Sequence, residues 1–445
     1  MVRILQTSDW QDEYKRKYVS PEVAVKSVKS GNIIAIPIDT EAQALSTALI
    51  KRRDELTDVT VVIRRPRYDL GWLVGNFDKA FHVVLDTQVG IGTQALKEKR
   101  ADYIPFLTSV RFKEQHDNRS QHQDLDVVFL VVSPPDEEGF CGFGLYLSHK
   151  RDYARQAKKV LAEVSSAPAM LVKTAGDSRI HVSEISYFVQ HVSVPHPKLP
   201  PLQPTTIDKT IAGYVSTIVC DGDTLQLGPG ATISSITVLG AFDNKHNLGI
   251  HSAFIGPEVL QLVKSGVVNG KRKNVNPGKA VVSGFMGIES KDDMTFIDSN
   301  SVFEVRDMSY VNDIRVIAAH ENMLAINSVL AVDLTGQLAA DSLGTSMWDG
   351  AAGQVEFSIG SMLSDGGCVI NALHSVTTKG ISRIVPTLKN GTVVSVPRIF
   401  TDYVVTEYGI ARLYGKSQRQ RAQELIAIAH PDFRAELTLK AKQFY

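Results

Sequence analysis

Two glycine clusters stand where main-chain N–H groups can meet an anion or a polarised carbonyl oxygen. Leu227-Gly228-Pro229-Gly230-Ala231-Thr232 follows an apolar run and precedes a helical pattern, so a tight turn and a helix N-terminus can aim donors at one oxygen. Asp349-Gly350-Ala351-Ala352-Gly353-Gln354 is the second cluster. Its small residues allow a ligand close to the backbone, and Gln354 offers both a donor and an acceptor. Taken alone, turn geometry or packing explains either cluster. The candidates for moving a proton are Asp349, Glu258 and His251. Asp349, desolvated in a cleft, would hold its proton more tightly and could serve as a general base on water; the plainer reading is a solvated aspartate capping a turn. His251 lies in Asn247–Gly256 (N-L-G-I-H-S-A-F-I-G), and extended alternation places it on the same face as Ala253. A positional role is the plainer reading for it. Glu258 follows Pro257 at a helix start, where a carboxylate favours the helix dipole, a structural role. The histidines include no pair at metal-ligand spacing beside a carboxylate, so no metal is expected.

The elements that position these residues form two similar halves. His196–Thr206 (H-P-K-L-P-P-L-Q-P-T-T) carries four prolines and reads as a linker between a first domain, 1–195, and a second, 207–445. Each half begins with a helical run, a glycine and a strand: Val25 to Gly31 into Ile33–Ile38, and Val215 to Gly222 into Thr224–Leu227. Strands are expected at Val59–Ile63, His82–Leu85, Val127–Val132, Leu248–His251, Ala280–Phe285, Val316–Ala318 and Ser328–Val332, and a helix over Asp152–Leu161. The pattern is α/β, two related open domains from an internal duplication, each a mostly parallel sheet covered on both faces. The chain should end in a helix over Ser417–Lys442, broken at His430-Pro431. The polar tract Lys113–Asp124 reads as a surface loop.

Forty-eight basic residues balance forty-eight acidic ones, so no long-range field favours nucleic acid or an anionic membrane, and any anion must be held locally. The first thirty residues lack a signal-peptide core and no apolar run is long enough to cross a bilayer, which gives a cytosolic expectation. Cys141, Cys220 and Cys368 are odd in number and outside any C-x-x-C pattern, and are read as three buried thiols.

Val132-Ser133-Pro134-Pro135-Asp136, His181-Val182-Ser183-Glu184-Ile185, Asn322 to Asn327, Val332 to Gln337, Asp402 to Ala411 and Ile428 to Phe433 occur in an order that resembles the acetyl-CoA hydrolase and 4-hydroxybutyrate CoA-transferase family. The resemblance runs from about Ser20 to Tyr445. It implies a CoA-transferase fold with the active site between the halves, an acyl-CoA substrate held mainly by the second domain, and a homodimer or higher homo-oligomer. It also places Gly228, Gly230 and Ala231 near the thioester oxygen, and Gly350, Ala352, Gly353 and Gln354 in a loop over the acyl-CoA.

In transferases of that family a glutamate attacks the thioester and carries CoA as a glutamyl thioester, and the resemblance puts Ala253 at its position. A methyl group cannot act as that nucleophile. The chain departs further: G-P-G-A-T-I from Gly228 to Ile233 stands for G-I-G-A-I-P, Ala352 for the first glycine of G-G-Q, and Asp349 for a small neutral residue. Three readings follow: hydrolytic cleavage of a bound acyl-CoA at the thioester or a carbon–carbon bond, a transferase whose glutamate was replaced to trap a complex, and a non-catalytic acyl-CoA-binding homologue.

Overall fold

The computed structural model describes residues 9–38, 42–64, 66, 69–74, 77, 79–85, 91–110, 124–193, 201–348 and 353–444. The strands of the first half are β1 Ile33–Ile36, β2 Val59–Ile63, β3 Phe81–Leu85, β4 Asp102–Tyr103, β5 Val127–Val132, β6 Phe140–Gly142, β7 Lys159–Val164, β8 Ala175–Gly176, β9 Arg179–His181 and β10 Tyr187–Gln190. The second half supplies β11 Thr224–Leu227, β12 Gly249–Ile255, β13 Ala280–Phe285, β14 Phe303–Val305, β15 Met323–Ser328, β16 Ala331–Asp333, β17 Leu338–Ala339, β18 Ser342–Leu343, β19 Ser346–Met347, β20 Cys368–Ala372, β21 Ile384–Val385, β22 Tyr403–Thr406 and β23 Gly409–Arg412.

The first large sheet has the order β10-β7-β5-β1-β2-β3-β4, and the second β23-β22-β20-β15-β11-β12-β13-β14-β8. All pairings are parallel except the terminal β22–β23 hairpin. Laid side by side, seven strands of one sheet correspond in order to seven of the other, with β1 matching β11 and β5 matching β15. Every residue of β5, β12 and β13 is buried, as expected of parallel strands covered on both faces.

The halves share one large apolar core, which includes Val128 and Leu130 of the first sheet and Leu225, Ile250 and Val282 of the second. They are also stitched through the main chain. Leu147 and Ser148 donate N–H groups to the Ser283 carbonyl at 3.1 and 2.9 Å, and Phe285 donates to the Leu145 carbonyl at 2.9 Å. Strand β8, from the first half, closes the far edge of the second sheet against β14.

Several expectations are corrected. The Asp152–Leu161 run is helical only as Lys150–Gln156; Ala157 turns extended and the buried residues Val160–Val164 pair as β7. Val316–Ala318 is not a strand but the end of a helix, Ile314–Ala318, started by the Asp313 side chain accepting from the Arg315 N–H. An apolar triplet carries no period of its own, and the cap decides it. The run Ser328–Val332 divides between the end of β15 and the start of β16. Strand β12 outruns the expected Leu248–His251 and carries Ala253 within it. Cys220 is exposed, because it lies in the turn between the helix Thr206–Ile218 and β11, whereas Cys141 is buried and Cys368 half-buried; all three are free.

The terminal helices Gln418–Ala427 and Pro431–Phe444 break at His430-Pro431. Of the tract Lys113–Asp124 only Asp124 falls within the described residues, and 196–200 of the linker also lie outside them. Pro201–Thr205 has no regular structure before a capping box between Thr205 and Asp208 starts the helix Thr206–Ile218.

Candidate active site

In the second sheet β12 lies on one side of β11 and β15 on the other. The chain thus leaves β11 in one direction and returns on its opposite flank, which opens a crevice beyond the carboxyl ends of the strands, where open α/β sheets bind ligands. The turn Gly228-Pro229-Gly230 lies there. Gly228 donates its N–H to the Ile326 carbonyl at 2.9 Å. A methyl group on Gly228 would sit 2.5 Å from Asn327 Oδ1, so close approach demands glycine. Asn327 is fixed by a reciprocal amide pair with Gln226, at 2.9 and 3.1 Å. Beyond the turn, the helix Ala231–Val238 starts from an extended Gly230 with no side-chain cap. Its first-turn N–H groups are therefore not consumed by a capping side chain.

Ala253 is 9% exposed and packs with Ile38, Phe254 and Met308, with Tyr146 and Met286 against the cluster. Ile38 and Tyr146 come from the first half, so this position lies at the seam. In register it faces Ser283, whose carbonyl receives the Leu147 and Ser148 N–H groups.

His251 is fully buried on β12. Its Nε2 donates to the Val311 carbonyl at 2.8 Å, and its ring centroid lies 4.4 Å from that of His320. Burial, then the neighbouring His320 and Lys273, drive its pKa well below the ordinary value. Lys273 donates to the carbonyls of Ile250 and Lys279 at 2.8 and 2.9 Å, and burial lowers its pKa to about 7. Burial and Lys273 bring His320 down to about 4. His251 is thus a neutral ring pinned in the core, a poor proton carrier.

This cluster has a consequence for stability. The unfolded chain takes up protons on these histidines near pH 6.5, whereas the folded imidazoles resist them. Their contribution is complete above about pH 6.5 and is lost as pH falls toward 4. The thermal midpoint of the His320→Gln variant should therefore fall less steeply than that of the parent between pH 7 and pH 4.5. Parallel profiles would show that the histidines do not govern this window.

Glu258 opens the helix Pro257–Lys264 and accepts from Ser234 Oγ at 2.9 Å. It joins the first turns of two neighbouring helices. Gly353 has φ 98° and precedes the helix Gln354–Leu363. Its missing side chain leaves the space taken by the Asn312 amide. Gln354 is buried, with Nε2 3.4 Å from Asn371 Oδ1. Asp349, Gly350 and Ala352 lie outside the described residues. Among the described residues no group of three or more His, Cys, Asp or Glu could hold a metal ion, and no helix is long and apolar enough to cross a membrane.

The sequence did not single out Gln226, Asn327, Ser252 or Glu356. Ser252 Oγ donates within reach of the Leu227 and Phe254 carbonyls, at 3.3 and 3.1 Å, and so links β12 to the Gly228 turn. Asn327 ends one of the quoted family-like runs, the only sequence signal that marked it.

Two covered, mostly parallel sheets of matching strand order, meeting at a seam beside a glycine turn, define the CoA-transferase type of α/β fold. Residues 2–200 match the acetyl-CoA hydrolase/transferase N-terminal domain and 290–441 the C-terminal domain. The chain is similar to 4-hydroxybutyrate coenzyme A transferase of Clostridium kluyveri, 37% identical with 98% of this chain and 99% of that one covered. It is also similar to succinyl-CoA:cyclohexane-1-carboxylate CoA transferase of Geobacter metallireducens, 35% identical over 98% and 97%. The crystal structure of RipA from Yersinia pestis superposes with a TM-score of 0.88 at 28% identity, covering 98% and 99%. The protein belongs to the acetyl-CoA hydrolase/transferase family. It is accordingly an enzyme whose substrate is a CoA thioester.

Proposed function

We propose that this enzyme binds an acyl-CoA along the seam and cleaves it with water, at the thioester or at a carbon–carbon bond, rather than passing CoA to a second acid. One observation carries the reading: at the position the resemblance assigns to the nucleophilic glutamate, the side chain is the methyl of Ala253 in an apolar cluster of Ile38, Phe254 and Met308. No glutamyl thioester can form on it, so the covalent half-reactions of transfer have no start.

The N–H groups of Gly230 and Ala231, beyond the Gly228 turn, with those of the run Gly350, Ala352, Gly353 and Gln354, would hold the developing oxyanion. A good donor of this kind contributes about 3 kcal/mol to the transition state. In thioester cleavage, water adds to the carbonyl carbon and loses a proton, the C–S bond breaks, and the products are the free acid and CoA thiol. With His251 held against Val311 and Glu258 against Ser234, Asp349 is the remaining candidate to accept the proton. A homodimer or larger assembly and a cytosolic address complete the proposal.

Incubation with a panel of acyl-CoA esters tests it. Acid-independent release of free CoA, or of a shortened acyl-CoA, is the expected result. Acid-dependent CoA exchange with ping-pong kinetics would contradict the reading, and tight binding of every ester without turnover would replace it by that of a silent acyl-CoA binder.

A further inference from the structure

The helix Gln354–Leu363 belongs to the second half, yet its first turn is fastened to the first half by one carboxylate. Glu356 is 1% exposed. Its Oε1 accepts from the Ser109 N–H at 2.6 Å and from Ser109 Oγ at 2.8 Å. Ser109 sits in the short turn Thr108–Val110 of the first half. The other oxygen, Oε2, accepts from Asn312 Nδ2 at 3.1 Å.

Asn312 follows the helical turn Met308–Val311, and Met308 packs on Ala253. The same amide fills the space that a side chain on Gly353 would need. One carboxylate thus joins three pieces: the Ser109 turn across the seam, the turn that covers Ala253, and the left-handed turn at Gly353. The Ser109 turn is gripped from its other side as well. His149 Nε2 donates to the Thr108 carbonyl at 3.0 Å, and Arg64, at the end of β2, donates to His149 Nδ1 while lying 5.0 Å over the Phe106 ring.

We infer that Glu356 is a positioning residue for acyl-CoA binding, a latch that sets the Gly353 turn by tying it across the seam to Ser109. Three donors converge on a buried carboxylate, and charge-assisted hydrogen bonds of this kind are among the strongest a protein makes. Burial pushes the Glu356 carboxyl pKa above the ordinary glutamate value, and the Ser109 and Asn312 donors oppose part of the rise. Further along the helix, Ile317 packs into the space above Gly360, which anchors its later turns.

The inference rests on the proposed placement of the Gly353 turn over the acyl-CoA and is indifferent to hydrolysis or transfer. The test compares Glu356→Gln, Ser109→Ala, their double variant and Gly353→Ala, measuring the Kd for an acyl-CoA by calorimetry beside the thermal midpoint. If the tie to Ser109 serves to preorganise the Gly353 turn for the ligand, its loss corresponds to at most about a tenfold rise in Kd. We expect that rise in Glu356→Gln, a smaller one in Ser109→Ala, and a double variant no weaker than Glu356→Gln alone, because both remove the same tie. Amide exchange at Ser109 should quicken in Glu356→Gln.

If Kd is unchanged in both latch variants but rises in Gly353→Ala, or if only the midpoint drops, Glu356 is structural and the inference fails while the proposed site stands. If Gly353→Ala also binds normally, the placement of that turn over the substrate fails with it.

Discussion

Replacing Gly228 with alanine should lower acyl-CoA turnover by roughly a hundredfold while leaving the protein folded. Gly228 is not among the glycines of positive φ, so backbone strain is not the reason. The new methyl would lie 2.5 Å from Asn327 Oδ1 and 3.4 Å from Asn327 Cα. Asn327 cannot swing aside without breaking its paired bonds to Gln226 inside the sheet. The turn must therefore yield, and the uncapped first turn of Ala231–Val238 moves with it. A displacement of half an ångström is enough to misaim an oxyanion donor. Comparison of kcat/KM and circular dichroism for variant and parent checks this. A folded variant with full activity would remove the Gly228 turn from the proposed chemistry.

Ala253→Glu should destabilise the fold by about 3 kcal/mol or more, without conferring acid-dependent CoA exchange. The new carboxyl would enter a pocket of Ile38, Phe254, Met308, Tyr146 and Met286, so it must either stay protonated or force the seam apart. Overpacking adds to the cost, because Ala253 is already nine-tenths covered. The other departures from the family pattern, Pro229, Asp349 and Ala352, point the same way. Denaturant melts give the stability, and a two-substrate exchange assay gives the activity. A stable variant with ping-pong exchange would mean that this is a transferase whose glutamate had been replaced.

Much of the fold was legible because it repeats. The run from Val25 through Gly31 into β1 and that from Val215 through Gly222 into β11 announced two related sheets, and the strand orders correspond. Long buried strands such as β5 and β13 carry their own signal in six consecutive core residues. Short apolar runs do not: Val316–Ala318 took its conformation from the Asp313 cap. The glycine turn at Gly228 and the shared face of His251 and Ala253 could be read from local spacing.

The groups that hold them could not. Lys273 stands among Lys271, Arg272 and Lys279 and reads as part of a solvated basic run, yet it folds inward to cap the Ile250 carbonyl. Glu356 reads as an ordinary first-turn helix acid, and its partner Ser109 lies 247 residues away in the chain. Contacts of that separation leave no period and no motif. They exist only once both sheets are built.

Position 253 offers no side-chain oxygen on which CoA could be carried. Intact-protein mass spectrometry after brief incubation with acyl-CoA, with and without borohydride, tests it most directly. An unmodified protein mass is expected while free CoA or a shortened ester accumulates in solution. A protein heavier by one CoA, or a borohydride-reduced carboxyl on any side chain, would contradict it.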